Sequence, residues 1–420
     1  MRSSSSDAIP DGGSSARNRV DGRVHVCWVV KRTVEESVVV VKYFILSSTR
    51  KTIFGFIAIL PNFNPDVTMR PNLVNIMHLT NKVRRLLNML ANKKILLFGG
   101  SGSLGHQFID TYLANNTITN YSRDECKHWQ MGIKYNNNPA LSFIIGDIRD
   151  YARVESSILR EKPNIIIIMS ALKHIDRCEF AIEECLKTNF TGPLNVVNAV
   201  ESNIDRLPGL ECVVMISTDK ACEPTNVYGM SKALAESAIV EKSLTTKQCK
   251  FVNVRYGNVL NSRGSIIPLL HEKGADPAIP AFTLTHQDMT RFVMTLEQSV
   301  ALIEHAIIYA DSGDTVIPRL ISMRLLDLME LFSAKYGKPI MVTGLRPGEK
   351  MLESLISETQ AMRLAHGPDG YMYIKPPYYN QGFSNNQEIH NYNSKINPLS
   401  KTELLAYLQE FGLLEVEKSN

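Results

Sequence analysis

Short apolar runs recur along the chain from residue 95 onwards, each followed by a turn and a stretch of helical periodicity. They occupy residues 95–98, 143–145, 165–169, 212–215 and 251–254. No polar residue interrupts residues 165–169, which is typical of a strand buried on both faces. Strands that alternate with helices predict an α/β fold with a doubly wound parallel sheet.

The pattern is less regular in three further segments. Residues 118–121 predict a second strand, although Thr119 and Asn120 interrupt it. Apolar positions at helical spacing predict a short amphipathic helix over residues 80–90. Ser400 followed by Glu403 is a capping box, which predicts the start of a last helix.

Composition narrows the classes of function. The 420 residues are 44% hydrophobic, as in ordinary globular proteins. Basic residues number 46 and acidic residues 42, and this mixed net charge of +4 argues against a nucleic-acid partner while leaving acidic small ligands open. The seven cysteines form no C-x-x-C pair, so neither a disulfide framework nor a metal site is predicted, and the reducing cytoplasm fits best.

A glycine-rich turn joins the first apolar run to a helical stretch, in the order that dinucleotide binding requires. Gly99 would form the tight turn, Gly102 would let a pyrophosphate approach the backbone, and Gly105 would let the helix pack on the strand. The helix N-terminus would favour the anion; a purely structural turn is the alternative. The other candidate cofactor contacts in the turn are Ser101, Ser103 and Leu104.

The ends of the second and third strands carry residues expected near adenosine. Arg123 follows Ser122 where an acidic residue suits NAD and an arginine suits the 2′-phosphate of NADP. Arg123 therefore favours NADP, but Asp124 beside it keeps NAD possible, and a merely solvated arginine is the alternative. Asp147, which precedes Ile148, stands where an adenine amino group would be met.

The uninterrupted run of residues 165–169 ends in small residues, which permit a cofactor to approach closely. Ala171 is the candidate contact there, and Lys173 could reach ribose or phosphate oxygens, or the substrate. His174 fits an exposed helix start equally well.

Reactive side chains are densest after the run of residues 212–215. Thr218, Asp219 and Lys220 would lie at the carboxyl end of that strand, which faces the ligand crevice of an open α/β sheet. Tyr228 and Lys232 are spaced i, i+4 and so share one helix face, and both are also candidate cofactor contacts. Lys232 and an oxidised nicotinamide would lower the pKa of Tyr228, which could then accept a hydroxyl proton. A surface pair is the alternative, which the upstream glycine turn disfavours.

The last third of the chain has short segments, several prolines and two conspicuous arginines. Arg291 and Arg346 would suit a diphosphate, with structural ion pairs as the alternative. The candidate substrate contacts are Lys173, Asn258, Arg263, Arg291, Arg346 and Glu349.

Three regions are predicted along the chain. Residues 1–20 are rich in Ser and Gly, and charges interrupt the apolar stretch of residues 24–60, so neither an ordered segment nor a membrane span is expected. We expect a disordered or weakly structured extension over residues 1–76 and an NADP-binding domain over 77–262. Residues 263–420 would form mainly a smaller substrate-binding region and a tail.

These motifs together resemble the extended short-chain dehydrogenase/reductases of nucleotide sugars, and in particular the inverting UDP-N-acetylglucosamine 4,6-dehydratase/5-epimerases. The resemblance covers about residues 93–415. Asp219-Lys220 is its most discriminating feature, because retaining dehydratases carry Asp-Glu there. Phe98 departs from the usual Thr. The motifs that carry it are GGSGSLG (99–105), SRDE (122–125), GDIRD (146–150), STDKA (217–221), YGMSK (228–232), RYGNVLNSRGSIIP (255–268), MTRF (289–292) and RPGEK (346–350).

The resemblance implies a Rossmann fold and a lyase with tightly bound NADP, assembled as a homo-oligomer, a hexamer. It would convert UDP-N-acetylglucosamine to UDP-2-acetamido-2,6-dideoxy-β-L-arabino-hexos-4-ulose for deoxy-amino-sugar and glycan biosynthesis. Tyr228, supported by Lys232 and Thr218, would take the 4-hydroxyl proton. Lys220, its amine kept neutral by a dry site, would remove the carbon 5 proton, while protonated Asp219 helps the 6-hydroxyl leave. A retaining dehydratase, a 4-epimerase or a non-catalytic NADP-binding protein are the alternatives.

Overall fold

The structure, a computed structural model, describes residues 90–379 and 391–415, together with the backbone of four strands between residues 17 and 61. The chain divides into two units, Met1–Leu87 and Asn88–Asn420. The helix expected over residues 80–90 lies outside the described residues except for Leu90.

The first unit contains an antiparallel sheet in the order β1-β2-β3-β4. These strands differ from the weakly structured extension expected over residues 1–76. A run of four valines in β3 favours extended backbone, which the interrupting charges obscured in the sequence pattern. The boundaries at 76/77 and 262/263 stay predictions. The strands are β1 (Arg17–Val20), β2 (Val24–Arg32), β3 (Val38–Ser47) and β4 (Phe56–Pro61).

The second unit is built from strands and helices that alternate through its first two thirds. Its strands are β5 (Lys94–Phe98), β6 (Thr117–Ser122), β7 (Leu141–Ile145), β8 (Ile165–Ile168), β9 (Cys212–Ile216), β10 (Lys250–Val254), β11 (Asn258–Val259), β12 (Phe282–Leu284), β13 (Thr290–Met294), β14 (Thr315–Ile317), β15 (Ile321–Arg324), β16 (Ile340–Val342), β17 (Ser354–Ile356), β18 (Leu364–His366), β19 (Met372–Ile374) and β20 (Tyr392–Asn393). Its helices are α1 (Ser103–Tyr112), α2 (Glu125–Lys134), α3 (Tyr151–Glu161), α4 (Ile175–Phe180), α5 (Ile182–Leu186), α6 (Gly192–Ser202), α7 (Val227–Thr245), α8 (Ile266–Ala275), α9 (Leu296–Tyr309), α10 (Leu325–Tyr336), α11 (Glu358–Ala361) and α12 (Lys401–Glu410).

The main sheet has nine strands in the order β18-β19-β14-β10-β9-β8-β5-β6-β7. The strands from β14 to β7 in this order are parallel, while β19 and β18 add an antiparallel edge. The α/β doubly wound fold predicted from the apolar runs is therefore confirmed, including the interrupted second strand.

Both faces of the sheet are buried, which explains the continuous apolar runs. In β8, Ile165 and Ile167 belong to one hydrophobic core, and Ile166 and Ile168 belong to the core on the opposite face. This alternation follows from the two-residue period of a strand.

The order in which strands are added to the sheet reverses at β5, because β6 and β7 lie on one side of it and β8 lies on the other. The crevice between the carboxyl ends of β5 and β8 is where open α/β sheets bind ligands.

The later segments pack around a further core, which includes Leu260, Phe282, Phe332 and Leu404. Smaller sheets pair β11, β13 and β15, then β12 with β16, and β17 with β20. Ser400 caps α12 in the predicted capping box.

Candidate active site

The glycine turn after β5 has the geometry of an anion-binding turn. Gly99 adopts a φ of 90°, and a Cβ there would meet the Ser170 side chain at 2.6 Å, so only glycine fits. A Cβ at Gly105 would meet the Gly100 carbonyl at 2.0 Å, which shows how closely α1 packs on the turn. At Gly102, the N-terminal cap of α1, the nearest atom that a Cβ would meet among the described residues is the Gly99 carbonyl oxygen, at 3.9 Å.

A loop of residues 262–265 lies against this turn. The Arg263 backbone N–H donates to Ser103 Oγ at 2.9 Å, and Lys173 Nζ donates to the Arg263 carbonyl at 2.5 Å. Burial lowers the pKa of Lys173, and the Arg263 charge adds to the fall. The structure therefore brings together a predicted substrate residue, Arg263, and two predicted cofactor residues.

The carboxyl ends of β6 and β7, here called the outer strand ends, carry Ser122, Arg123, Asp147 and Ile148. The Arg123 guanidinium lies 3.7 Å from the Asp147 carboxylate and is 55% exposed. Burial raises the pKa of Asp147, but hydrogen bonds from Arg149 and the charges of both arginines outweigh it and lower the pKa. Asp147 is thus an ionised acceptor held by Arg149 at 2.7 Å.

Two residues that hold segments at the carboxyl ends of the strands were missed from the sequence. Asn195 Nδ2 donates to the carbonyls of Ile148 and Arg149, both at 3.0 Å. The buried Asn189 exchanges hydrogen bonds with the Leu172 backbone, which positions the Ala171 segment after β8. Both asparagines are distant in sequence from the groups they hold, so no local pattern reveals them.

The residues after β9 form a buried turn, part of what is here called the reaction corner: Thr218, Asp219, Lys220, Tyr228, Lys232 and Glu353. Asp219 is fully buried, and its Oδ1 accepts from Thr218 Oγ1 and from Lys220 Nζ, both at 3.0 Å. Lys220 Nζ also lies 3.4 Å from Asn258 Oδ1 and 3.4 Å from Glu353 Oε1.

Helix α7 brings Tyr228 and Lys232 to this turn. A Cβ at Gly229 would meet the Lys220 carbonyl at 2.3 Å, so the glycine lets the first turn of α7 pack directly on the segment that carries Lys220. Asn226 caps the helix by accepting from Gly229 N at 2.8 Å. Both catalytic candidates on α7 are buried, Tyr228 being 9% exposed and Lys232 3% exposed.

The charges at this corner differ from the sequence-based expectation. Burial raises the pKa of Tyr228 to about 12, while the Lys220 ammonium and the Thr218 side chain oppose the rise. Lys232 was expected to supply the positive charge, but burial lowers its own pKa to about 8, against the effect of Glu236. The Lys220 charge lowers the pKa of the phenol, and the supporting role expected of Lys232 stays a prediction.

Lys220 itself was expected to be a neutral amine in a dry site. Burial alone lowers its pKa, but the Asp219 and Glu353 carboxylates raise it by more, and the net pKa lies well above the ordinary value of lysine. The reversal arises because the dry site also contains two buried carboxylates. Glu353, 2% exposed, was missed from the sequence, since nothing in its spacing marks it.

The remaining substrate candidates lie at different depths. Arg291 is buried, and its guanidinium donates to the carbonyls of Thr290 and Lys350 at 2.7 and 2.9 Å. Arg346 is exposed, and Glu349 accepts from the Arg346 backbone N–H at 3.1 Å. The structure brings Asn258 and Arg291 to the reaction corner and leaves Arg346 on an exposed loop.

Three buried oxygens at the corner lack a hydrogen-bond partner among the described residues: Ser217 Oγ, Asp219 Oδ2 and Glu353 Oε2. Buried polar atoms are nearly always paired, so such a cluster is typical of a site that receives a polar ligand.

The parallel sheet, the glycine turn at its switch point and the Tyr228–Lys232 pair define an extended short-chain dehydrogenase/reductase of the Rossmann type. Within that class the chain belongs to the polysaccharide biosynthesis protein family, whose model matches residues 95–375.

Individual relatives carry different names. An uncharacterized membrane protein of Methanocaldococcus jannaschii is 37% identical over 344 residues, which cover 78% of this chain and 98% of that protein. An inverting UDP-N-acetylglucosamine 4,6-dehydratase of Campylobacter jejuni is 34% identical over 69% of this chain and 84% of its own length. A UDP-glucose 4-epimerase of Rickettsia bellii is 35% identical over 65% of this chain and 80% of its own.

Among solved structures, Pen from Bacillus thuringiensis matches with a TM-score of 0.69 and 30% identity, over 77% of this chain and 99% of that one. None of the helices in the described part of the chain has the length and apolar character needed to cross a membrane.

Proposed function

We propose that this protein is an inverting UDP-N-acetylglucosamine 4,6-dehydratase that uses NADP. The observation that carries the proposal is the contact of Lys220 Nζ with the buried Asp219 carboxylate, at 3.0 Å, beside Tyr228. An amine, a carboxyl and a phenol at one point supply the base and acids that oxidation, elimination and epimerisation need. The name of the Campylobacter relative supports the same reaction.

The residues at the switch point fit a nicotinamide dinucleotide. The open space at Gly102 and the α1 N-terminus would hold the pyrophosphate, while Arg123 would meet a 2′-phosphate. Such a cofactor would supply the hydride chemistry of the reaction, uptake of a hydride from carbon 4 of the sugar and its return to carbon 6.

Tyr228 has the role of accepting the proton of the 4-hydroxyl group. The Lys220 ammonium and the Thr218 side chain both favour the phenolate, although burial keeps the pKa of Tyr228 at about 12. Lys232 lies one turn further along α7 and is also buried. Its amino group is the second lysine nitrogen, after that of Lys220, in this buried environment. The product of this step is a 4-ketone, which acidifies the proton on carbon 5.

Lys220, in its neutral amine form, then removes the carbon 5 proton, and Asp219, in its protonated form, donates its proton to the 6-hydroxyl group, which leaves as water. Reprotonation of carbon 5 on the opposite face gives the L sugar. Asn258 at 3.4 Å and Asp219 at 3.0 Å fix the position of the Lys220 nitrogen for this transfer.

Turnover of UDP-N-acetylglucosamine in deuterated water, followed by NMR, tests the proposal. We expect a 4-keto-6-deoxy product with the L configuration, solvent deuterium at carbon 5, and the carbon 4 hydrogen at carbon 6. A D-configured product would show a retaining dehydratase, and no consumption of the sugar would contradict the proposal.

A UDP-glucose 4-epimerase is the second candidate, because the Rickettsia bellii relative, which is 35% identical, carries that name. An epimerase inverts carbon 4 and keeps the 6-hydroxyl, so the same NMR experiment with UDP-glucose and UDP-N-acetylglucosamine separates the two. The Asp219–Lys220 pair favours the dehydratase, since 4-epimerisation alone needs no base at carbon 5.

A further inference from the structure

Lys220 is held between two buried carboxylates from distant parts of the chain. Asp219 Oδ1 lies 3.0 Å and Glu353 Oε1 lies 3.4 Å from its nitrogen. Asp219 is fully buried and Glu353 is 2% exposed. A base at carbon 5 must be a neutral amine, yet the surrounding charges keep Lys220 protonated. The proton therefore needs a destination inside the site.

Glu353 is fixed in place by its backbone. Its N–H donates to Ser394 Oγ at 3.0 Å, and its carbonyl accepts from Ser394 N at 2.8 Å. Ser394 Oγ also donates to the Thr290 carbonyl at 3.1 Å, which anchors the pair on β13. These backbone contacts place the Glu353 carboxylate against Lys220. Glu353 Oε2 has no hydrogen-bond partner among the described residues.

Other charges face Glu353 from two further elements. Arg291 Nε lies 3.9 Å from Oε1, and Lys350 Nζ lies 4.0 Å from Oε2. Both cations are bound to carbonyls, Arg291 to Thr290 and Lys350 to Cys222. Burial raises the pKa of Glu353, Lys220 opposes the rise and Asp219 adds to it. A protonated Glu353 is accessible because the net effect disfavours its charge.

We propose that Glu353 is the internal proton acceptor for Lys220, a positioning residue that converts the lysine into the carbon 5 base. The N–H bond of the ammonium breaks as the O–H bond of the Glu353 carboxyl forms, so the pair changes from an ion pair to a neutral pair without exchanging a proton with solvent. This role rests on the proposed dehydratase function.

The test compares the pH dependence of carbon 5 exchange in wild type and Glu353→Gln. In the wild type the pair keeps one proton, so the exchange rate should stay flat through the neutral range. In the variant Lys220 must release its proton to solvent. Exchange should fall at least about tenfold at neutral pH and rise roughly tenfold for each pH unit added, as the neutral fraction does. Carbon 4 oxidation, read as reduced nicotinamide, should change little.

Two further variants separate proton transfer from packing. Glu353→Asp keeps a carboxylate and should retain the flat pH profile at a lower rate. Glu330→Gln removes a surface carboxylate paired with Lys401 and should match the wild type. A Glu353→Gln enzyme that loses both partial reactions equally at every pH, or that exchanges carbon 5 at the wild-type rate, overturns the proposal.

A titration of Lys220 by NMR of ¹³Cε-labelled lysine, without substrate, keeps this inference separate from the proposed function. Loss of the Glu353 carboxylate should lower the pKa of Lys220, and an unchanged titration contradicts the pairing. If the titration shifts while the wild type shows no carbon 5 exchange, the pairing stands and both the dehydratase reaction and the proton-acceptor role fail.

Discussion

The reaction corner and the outer strand ends both contain oppositely charged pairs, but solvent reaches them very differently. The side chains of Lys220 and Asp219 are 14% and 0% exposed, whereas those of Arg123 and Asp147 are 55% and 27% exposed. Their separations also differ, at 3.0 and 3.7 Å. The same two kinds of charge therefore interact strongly in one region and weakly in the other.

This difference suits the two regions to different tasks, which are proton transfer at the reaction corner and ligand selection at the outer strand ends. Buried charges perturb one another, as the raised pKa of Lys220 shows, and burial itself lowers the pKa of Lys232. Such groups can move protons, because small changes in their surroundings alter which group is protonated. Exposed charges at the outer strand ends can select a ligand by its charge. We expect substitutions to have their largest effects at the reaction corner.

Tyr228→Phe should produce the largest loss, about 10²- to 10⁴-fold in turnover, because it removes a group that transfers a proton. Cofactor binding should stay nearly intact, since the phenol is remote in sequence from the glycine turn. Turnover by NMR and cofactor affinity by fluorescence titration check the two parts. Lys220→Ala should behave alike. If cofactor affinity fell together with turnover, the different roles assigned to the two regions would be wrong.

The second prediction asks whether burial governs how strongly a charged pair stabilises the fold. Arg255 is 1% exposed and binds Glu236 through its Nε at 3.0 Å and the Leu355 carbonyl at 2.8 Å. Arg255→Met should reduce the free energy of unfolding by about 3–5 kcal/mol, because Glu236 is left charged and buried without its partner.

Urea denaturation measures this loss, and Arg160→Met is the matched control. The Arg160 side chain is 58% exposed and pairs with Glu161 at the surface. Replacing Arg160 should change the free energy of unfolding by less than about 0.5 kcal/mol. Equal losses in both variants would show that burial does not govern the strength of these pairs.

The sequence predicted the parts of the site that are local. The apolar runs predicted the strands, because both faces of the sheet are buried. The i, i+4 spacing of Tyr228 and Lys232 placed both on α7, where they are buried. In each case the information lies within a few residues along the chain.

Long-range contacts could not be predicted in this way. Glu353 reaches Lys220 only because β17 and β20 pair and because Ser394 holds the backbone of Glu353. Burial alone would lower the pKa of Lys220, but the neighbouring Asp219 raises it and the distant Glu353 adds to the rise. Asn189 and Asn195 were missed for the same reason.

The last prediction concerns the smaller effect expected at the outer strand ends. Arg123→Ala should weaken NADP binding by about 1.5–3 kcal/mol, the contribution of a hydrogen bond between charged groups. NAD lacks the 2′-phosphate, so its affinity should hardly change. Isothermal titration measures the affinities for NADP and for NAD. The ratio of NADP affinity to NAD affinity should fall by roughly ten- to a hundredfold.

Salt sharpens this test, because Arg123 is more than half exposed. Its contribution to NADP affinity should decrease as ionic strength rises, since exposed charges are screened within about 10 Å at 0.1 M salt. The rate of carbon 5 exchange depends on the buried pair of Lys220 and Asp219, and we expect this rate not to change with ionic strength. Equal loss of both cofactors in Arg123→Ala would mean that Arg123 supports the fold of the strand end, and the preference for NADP would then need another source.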